Sequence, residues 1–124
     1  MSKGASRPVF RGGRNIALKL PPTVFDATVA FYRDTLALAL VEELRPDIVF
    51  EFGANHLWLD RVEGLAEAEI WLEVVASDTA AAKRFLRSKG VERCDEVEKL
   101  PDGFDGFWVR SPGSVVHLVR GENV

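Results

Sequence analysis

The chain is poor in the residues that mark several whole classes of protein. It has one cysteine and two histidines in 124 residues. The lone Cys94 cannot close an intrachain disulfide, and a secreted domain more often carries an even set, so a reducing cytoplasm is the expected compartment. Cys94 stands among Arg93, Asp95 and Glu96 with no positioned base in view, and it reads as a loop or strand residue rather than a nucleophile. No apolar run approaches membrane-spanning length, and Met1 to Gly13 lacks the apolar core of a signal peptide, so no membrane partner is expected. Positive charge is not in excess: 16 Lys plus Arg against 19 Asp plus Glu leave a formal −3, which offers no basic field to a phosphate backbone. Nucleic acid is therefore not an expected partner. Also missing are a Gly-rich phosphate loop after a strand and a serine nucleophile set beside His and Asp, which removes nucleotide-binding and hydrolase readings.

What is present is the balance of a soluble globular protein, 47% apolar and 28% charged, in a length that fits one domain with its own core. The expected organisation is a flexible basic arm over residues 1–13, with Lys3, Arg7 and Arg11 among Gly4, Pro8, Gly12 and Gly13, followed by a single domain over 14–124.

From Asn15 to Leu20, Ile16, Leu18 and Leu20 alternate with Asn15, Ala17 and Lys19, the period of a strand with two different faces. Pro21-Pro22 ends it. Thr23 with Asp26 resembles a capping box, which starts a helix near Val24. Phe25, Val29, Tyr32 and Leu36 fall on one helical stripe, widened by Phe31. Val41 to Leu44 reads as a short extended piece, Pro46-Asp47 as a turn, and Ile48 to Phe52 and His56 to Val62 as strands joined at Gly53-Ala54-Asn55. Ile70, Leu72 and Val74 then alternate with Glu69, Trp71 and Glu73. Ser77-Asp78 caps a second helix over Ala80 to Lys89 with Phe85 and Leu86 inward, and Gly90 stops it. Val91 to Val97, Phe107 to Arg110 and Val115 to Arg120 supply the closing strands, with turns at Pro101 to Gly106 and Ser111-Pro112-Gly113.

These elements repeat. Asn15 and Glu69, Thr23 and Ser77, Phe31 and Phe85, and Arg33 and Arg87 are each 54 positions apart. One offset serving strand, cap and helix predicts two copies of a strand-helix-strand-strand-strand unit, about 14–63 and 68–120. The expected fold class is α+β: two tandem βαβββ units forming a curved mixed sheet around a concave cavity, with the helices outside.

Two such units resemble the vicinal oxygen chelate superfamily, which includes glyoxalase I, extradiol dioxygenases and bleomycin resistance proteins. The segment AFYRDTLAL, Ala30 to Leu38, is similar to that family's first helix and following turn. Phe107-Trp108-Val109-Arg110-Ser111-Pro112-Gly113-Ser114-Val115-Val116-His117-Leu118 resembles its last hairpin, one residue short in the turn. In the metal-dependent members of that family, four strands supply ligands on the concave face. The resemblance places the equivalent positions on Asn15, Trp58, Glu69 and His117.

Of those four, only Glu69 and His117 are good ligands for a divalent ion, since an Asn carbonyl is weak and an indole is none. The expectation is no cofactor; the alternative is one divalent metal ion held by Glu69 and His117, with His56 as a further ligand two residues before Trp58. The other reading of His56 is a solvated residue beside the turn. Without metal, Glu69 and His117 would face each other as a general base or polar anchor, or as a structural ion pair. Ala17, Trp58 and Trp71, joined by Phe50 or Phe52, line the cavity with apolar material, against the plainer reading of the tryptophans as core or dimer interface. Lys19, Asp60 and Glu73 share their parity and read as exposed rim charges.

The sequence therefore points to a small-molecule-binding protein of the glyoxalase/bleomycin resistance type, metal-independent, cytoplasmic and homodimeric. Asn15, Ala17, Trp58, Glu69, Trp71 and His117 form its expected ligand site. The alternative is a metal-dependent lyase, isomerase or dioxygenase with a non-standard ligand set around Glu69 and His117, in which those two residues are the catalytic candidates. A third reading is a non-catalytic module whose sheet edges and tryptophans serve dimerisation.

Overall fold

A computed structural model describes residues 7–123. Residues 1–6, the start of the expected arm, lie outside the described residues. The rest of that arm is ordered into structure: Phe10–Gly12 form a strand (β1) in antiparallel register with Val74 to Ala76, and the Val9 N–H donates to Ser77 Oγ. With Val9 and Phe10 the only apolar side chains beside Arg, Pro and Gly, the segment gave no alternating strand signal, and backbone pairing supplies the order instead.

Seven further strands follow: β2 (Asn15–Leu20), β3 (Ile48–Phe52), β4 (Asn55–Arg61), β5 (Glu69–Ala76), β6 (Glu92–Arg93), β7 (Gly106–Arg110) and β8 (Val116–Arg120). With helices α1 (Pro22–Ala30) and α2 (Thr79–Ser88), this is an α+β protein in which β5-α2-β6-β7-β8 form a βαβββ set and β2-α1-β3-β4 form its counterpart, with the Leu40–Phe50 bridge in place of one strand. By its internal contacts the described chain divides into two compact units, one of them Arg14–Trp71 and the other the remaining residues, so that β5 contributes its first three residues to the former and the rest to the latter.

In the first unit β2 lies between β4, to which it is parallel, and the start of β5, to which it is antiparallel; β3 closes the other side of β4. α1 covers the face of Ile16, Leu18 and Leu20, and Val29, Phe50, Leu57 and Leu59 form the core with Phe25, Tyr32 and Leu38 packed on it. The helix starts at Pro22, earlier than Thr23 and Asp26 suggest, and no side chain caps it. Proline at the first helical position presets φ and has no N–H to orphan, so the capping box is not needed.

The expected stripe runs out at its end. Phe31–Thr35 wind as a π-helix, with the Leu36 N–H donating to Phe31 O. The wider turn adds a residue and rotates the phase, so Phe31 and Leu36 are exposed and Leu38 takes the core position instead. Val41 to Leu44 is not extended: Leu40 makes a single bridge to Phe50 and Glu42–Leu44 form a 3-10 turn.

In the second unit β5 pairs with β1 on one side and runs parallel to β8 on the other, and β7 and β6 continue antiparallel from β8. α2 is capped by Asp78, whose Oδ1 accepts from the Ala81 N–H at 3.0 Å, rather than by Ser77. The Gly90 stop is formed as expected, with φ +76 and the Val91 N–H donating to Leu86 O. Ala82 and Leu86 pack on Phe107, Val109 and Val119. The strand expected over Val91 to Val97 is only two residues long before Asp95–Val97 turn into a 3-10 helix.

Candidate functional site

On the first unit, the sheet face opposite α1 carries the odd-numbered residues of β2. Register fixes their neighbours: Asn15 lies beside His56, Ala17 between Trp58 and Trp71, and Lys19 between Asp60 and Glu69. Five of the six expected site residues within this unit's strands, Asn15, Ala17, His56, Trp58 and Trp71, therefore fall in two adjacent rows of one face, and Glu69 falls in the third. Both indole N–H groups there have a partner. The Trp58 Nε1–H donates to Asn15 Oδ1 at 2.8 Å, and the Trp71 Nε1–H donates to Glu69 Oε1 at 3.0 Å.

Lys19 is a correction. It was expected at a wet rim, yet it is 4% exposed, with Nζ 2.8 Å from Asp60 Oδ2 and 4.2 Å from the centre of the Trp71 ring. A carboxylate on one side and an indole face on the other compensate a buried ammonium in the way its desolvation demands. His56 is not a solvated turn residue either: its side chain is 14% exposed and Nε2 stands 3.5 Å from Glu51 Oε1. The turn before it is shorter than expected, since Phe52 and Asn55 already pair and Gly53 takes φ +63. Phe50 and Phe52 do not share this face. Phe50 is fully buried under α1 against Tyr32, ring centres 5.8 Å apart, and Phe52 has the same parity.

In the second unit the expected placement of His117 is overturned by register. His117 stands beside Leu72 and Val109, on the side of Val74, Val119 and Phe107 that α2 covers, and its Nδ1 lies 2.9 Å from Val115 O. Glu69 belongs with the odd-numbered residues of β5 and His117 with the even-numbered, so the two do not face each other. A strand's register decides which face each of its side chains takes, and here it pairs His117 with Leu72. The positions of β8 that point away from α2 are Val116, Leu118 and Arg120.

Arg120 was not singled out from the sequence. Its Nε donates to Glu73 Oε2 at 2.9 Å, and Glu73, expected at the rim, is 9% exposed. Only the β5–β8 register, which sets Glu73 beside Leu118 and Val75 beside Arg120, puts the two on one face, and the sequence carries no signal for it. Elsewhere in this unit a groove of about 480 Å³ is lined by Arg93, Asp95, Glu96, Glu98, Leu100 and Trp108. Arg93 pairs with Asp95 there and Arg110 with Glu96. None of the expected site residues lines it. Cys94 is fully buried, and burial pushes its thiol up from the ordinary range, in keeping with a packing role.

The donor set does not fit a metal ion. Asn15 Oδ1 is taken by an indole N–H, Trp58 offers no lone pair, Glu69 already accepts from Trp71, and His117 points toward the helix side. Among the described residues, no three His, Cys, Asp or Glu side chains are grouped as a metal site requires.

Fold and register thus define an α+β protein of paired βαβββ units with an aromatic, hydrogen-bonded sheet face. No family model matches the sequence, and no curated protein does. Solved structures do match: the Mn(II)-bound glyoxalase from Novosphingobium aromaticivorans is 23% identical with a TM-score of 0.58 over 88% of this chain, and methylmalonyl-CoA epimerase from Mycobacterium tuberculosis is 19% identical with a TM-score of 0.56 over 89%. Homoprotocatechuate 2,3-dioxygenase from B. fuscum is 19% identical with a TM-score of 0.61 over 97%. The chain spans 38% of that glyoxalase, 87% of the epimerase and 34% of the dioxygenase. The chain shares its fold with these three proteins. No helix among the described residues is long and apolar enough to cross a membrane.

Proposed function

We propose that this protein binds a small aromatic or amphipathic molecule without a metal ion, in the manner of a bleomycin-resistance-type binding protein, and that the first unit's face of Asn15, Ala17, Trp58 and Trp71 receives it. The observation that carries the reading is the Asn15–Trp58 hydrogen bond. It joins two positions where the metal-dependent members place ligands, and it turns them into a neutral aromatic wall. Trp71 is held in the same way by Glu69 and Lys19. Indoles fixed by their own N–H present a preorganised surface, which limits the side-chain entropy lost when a ligand is covered.

Tryptophan emission tests this directly. Titration of a panel of planar and amphipathic compounds, in buffer with excess EDTA, is expected to give saturable quenching by at least one class, reduced on the order of tenfold or more in Trp58→Ala. Saturable binding that appears only on adding a divalent metal would overturn the metal-free reading. The alternative of a metal-dependent lyase, isomerase or dioxygenase centred on Glu69 and His117 draws no support from a register that sends them to opposite faces.

A further inference from the structure

We propose that the open edge of β1 accepts an extended acidic segment of a partner protein as an added strand. This interaction surface lies within the second unit and is independent of the binding face on the first.

Among the described residues β1 pairs with β5 and with no other strand. In an antiparallel ladder, residues whose N–H and C=O both point at the partner strand alternate with residues whose groups point away from it. The Ser77 N–H donates to Val9 O at 3.0 Å and the Gly13 N–H to Glu73 O at 2.8 Å, so Val9, Arg11 and Gly13 form the inward set. The N–H and C=O of Phe10 and Gly12 therefore point away from β5, and no hydrogen bond reaches them from the described residues. The surroundings are open as well: Val9 is 66% exposed, and a Cβ on Gly12 would meet no atom within 4 Å. An edge of this kind offers main-chain hydrogen bonds to an added strand, and its side chains decide which strand is taken.

β1 chooses by charge. Arg7 and Arg11 are exposed, and residues 7–13 contain no acidic residue. Arg11 lies opposite Val75, on the face away from α2, and approaches Glu122 at 3.9 Å with both side chains more than half exposed. An exposed pair of that length is worth little, and a carboxylate directly opposite Arg11 on an added strand, with Cβ atoms about 5 Å apart, replaces it. The same charge works against a second copy, since antiparallel pairing of two β1 strands about their middle residue sets Arg11 opposite Arg11. Phe10 turns to the other face, its ring centre 6.3 Å from that of Phe85. The fitting partner sequence therefore alternates acidic residues on the Arg11 side with apolar residues on the Phe10 side.

The probes are a fluorescein-labelled heptapeptide of alternating Val and Glu and the same peptide with Lys in place of Glu, followed by anisotropy at low salt. Wild type is expected to bind the Glu peptide saturably and the Lys peptide on the order of tenfold more weakly. Arg11→Glu is expected to reverse that order, which a purely structural role for Arg11 would not do. Gly12→Pro removes one outward N–H and no bond to β5, and proline is tolerated at such an edge. It is expected to leave Tm unchanged and to weaken the Glu peptide by about tenfold. Undiminished binding of the Glu peptide to a folded Gly12→Pro protein, equal binding of both peptides by wild type, or no binding of the Glu peptide at millimolar concentration would each overturn the proposal. A dimer in sedimentation velocity that Gly12→Pro converts to monomer would assign the edge to a second copy and overturn the acidic partner.

Discussion

Phe50→Ala is expected to cost about 3–5 kcal/mol of stability and to lower Tm on the order of 10–20 °C. Phe50 is fully buried at the centre of the first unit's core, against Tyr32 and among Leu20, Val29, Leu57 and Leu59. Removing the ring takes away its transfer free energy and leaves a cavity that a sheet hydrogen-bonded on both sides of β4 cannot collapse to fill. Phe52 provides the control. It has the same residue type, strand and parity, but it is 44% exposed beside the Gly53 turn, and its replacement by Ala is expected to cost no more than about 1 kcal/mol. Urea denaturation followed by far-UV circular dichroism measures both, with unchanged m values required for a two-state comparison. Similar losses for the two variants would mean that Phe50 does not occupy the helix-covered core.

Gly13→Ala is the second substitution with a large effect. A Cβ there would sit 2.5 Å from Glu73 Cγ and 2.7 Å from Cδ, against the carboxylate that Arg120 holds. A long flexible side chain could swing aside at little cost, but Glu73 is buried and ion-paired, and the Gly13 N–H is itself bonded to Glu73 O at 2.8 Å. Overpacking of this kind costs about 2–3 kcal/mol. Gly12, one residue earlier, has open space where its Cβ would go, so Gly12→Ala is expected to be neutral or slightly stabilising through the unfolded chain. A thermal melt of the pair separates a steric demand at Gly13 from a general loss of backbone freedom in this segment. Equal Tm values for the two variants would show that Glu73 is not packed against the Gly13 backbone.

Much of this architecture is written in alternation. In β2 and β5 the two residue sets differ sharply in polarity, so strand, face and repeat offset follow from the sequence, and Gly90 announces its own left-handed stop. In β3 the set opposite Ile48, Phe50 and Phe52 holds the apolar Val49 beside the charged Glu51, and Phe50 was assigned to the wrong side. Backbone-driven features left still less trace. The π turn at Phe31–Thr35 shifts the helical phase without any residue that signals it, and β1 is ordered by pairing alone.

The placement of the candidate residues was legible to the same degree. Asn15, Ala17, Trp58 and Trp71 were readable because parity placed them together. His117 was misplaced because the resemblance that located it carries no register of its own, and the pairing of β8 with β5 decides its face. Lys19 and Glu73 were taken for rim charges because charged residues are seldom buried. Their partners, Asp60 and Arg120, lie 41 and 47 residues away in sequence, and only the strand pairing brings them close.

Elemental analysis of untagged protein, purified without chelator and then loaded with zinc, manganese or iron and desalted, tests the central claim most directly. A metal-independent binding face predicts no stoichiometric metal before or after loading, with tryptophan quenching by ligand unaltered. Retention of near one metal per chain, lost in Glu69→Ala or His117→Ala, would contradict the account and return the protein to the metal-dependent branch.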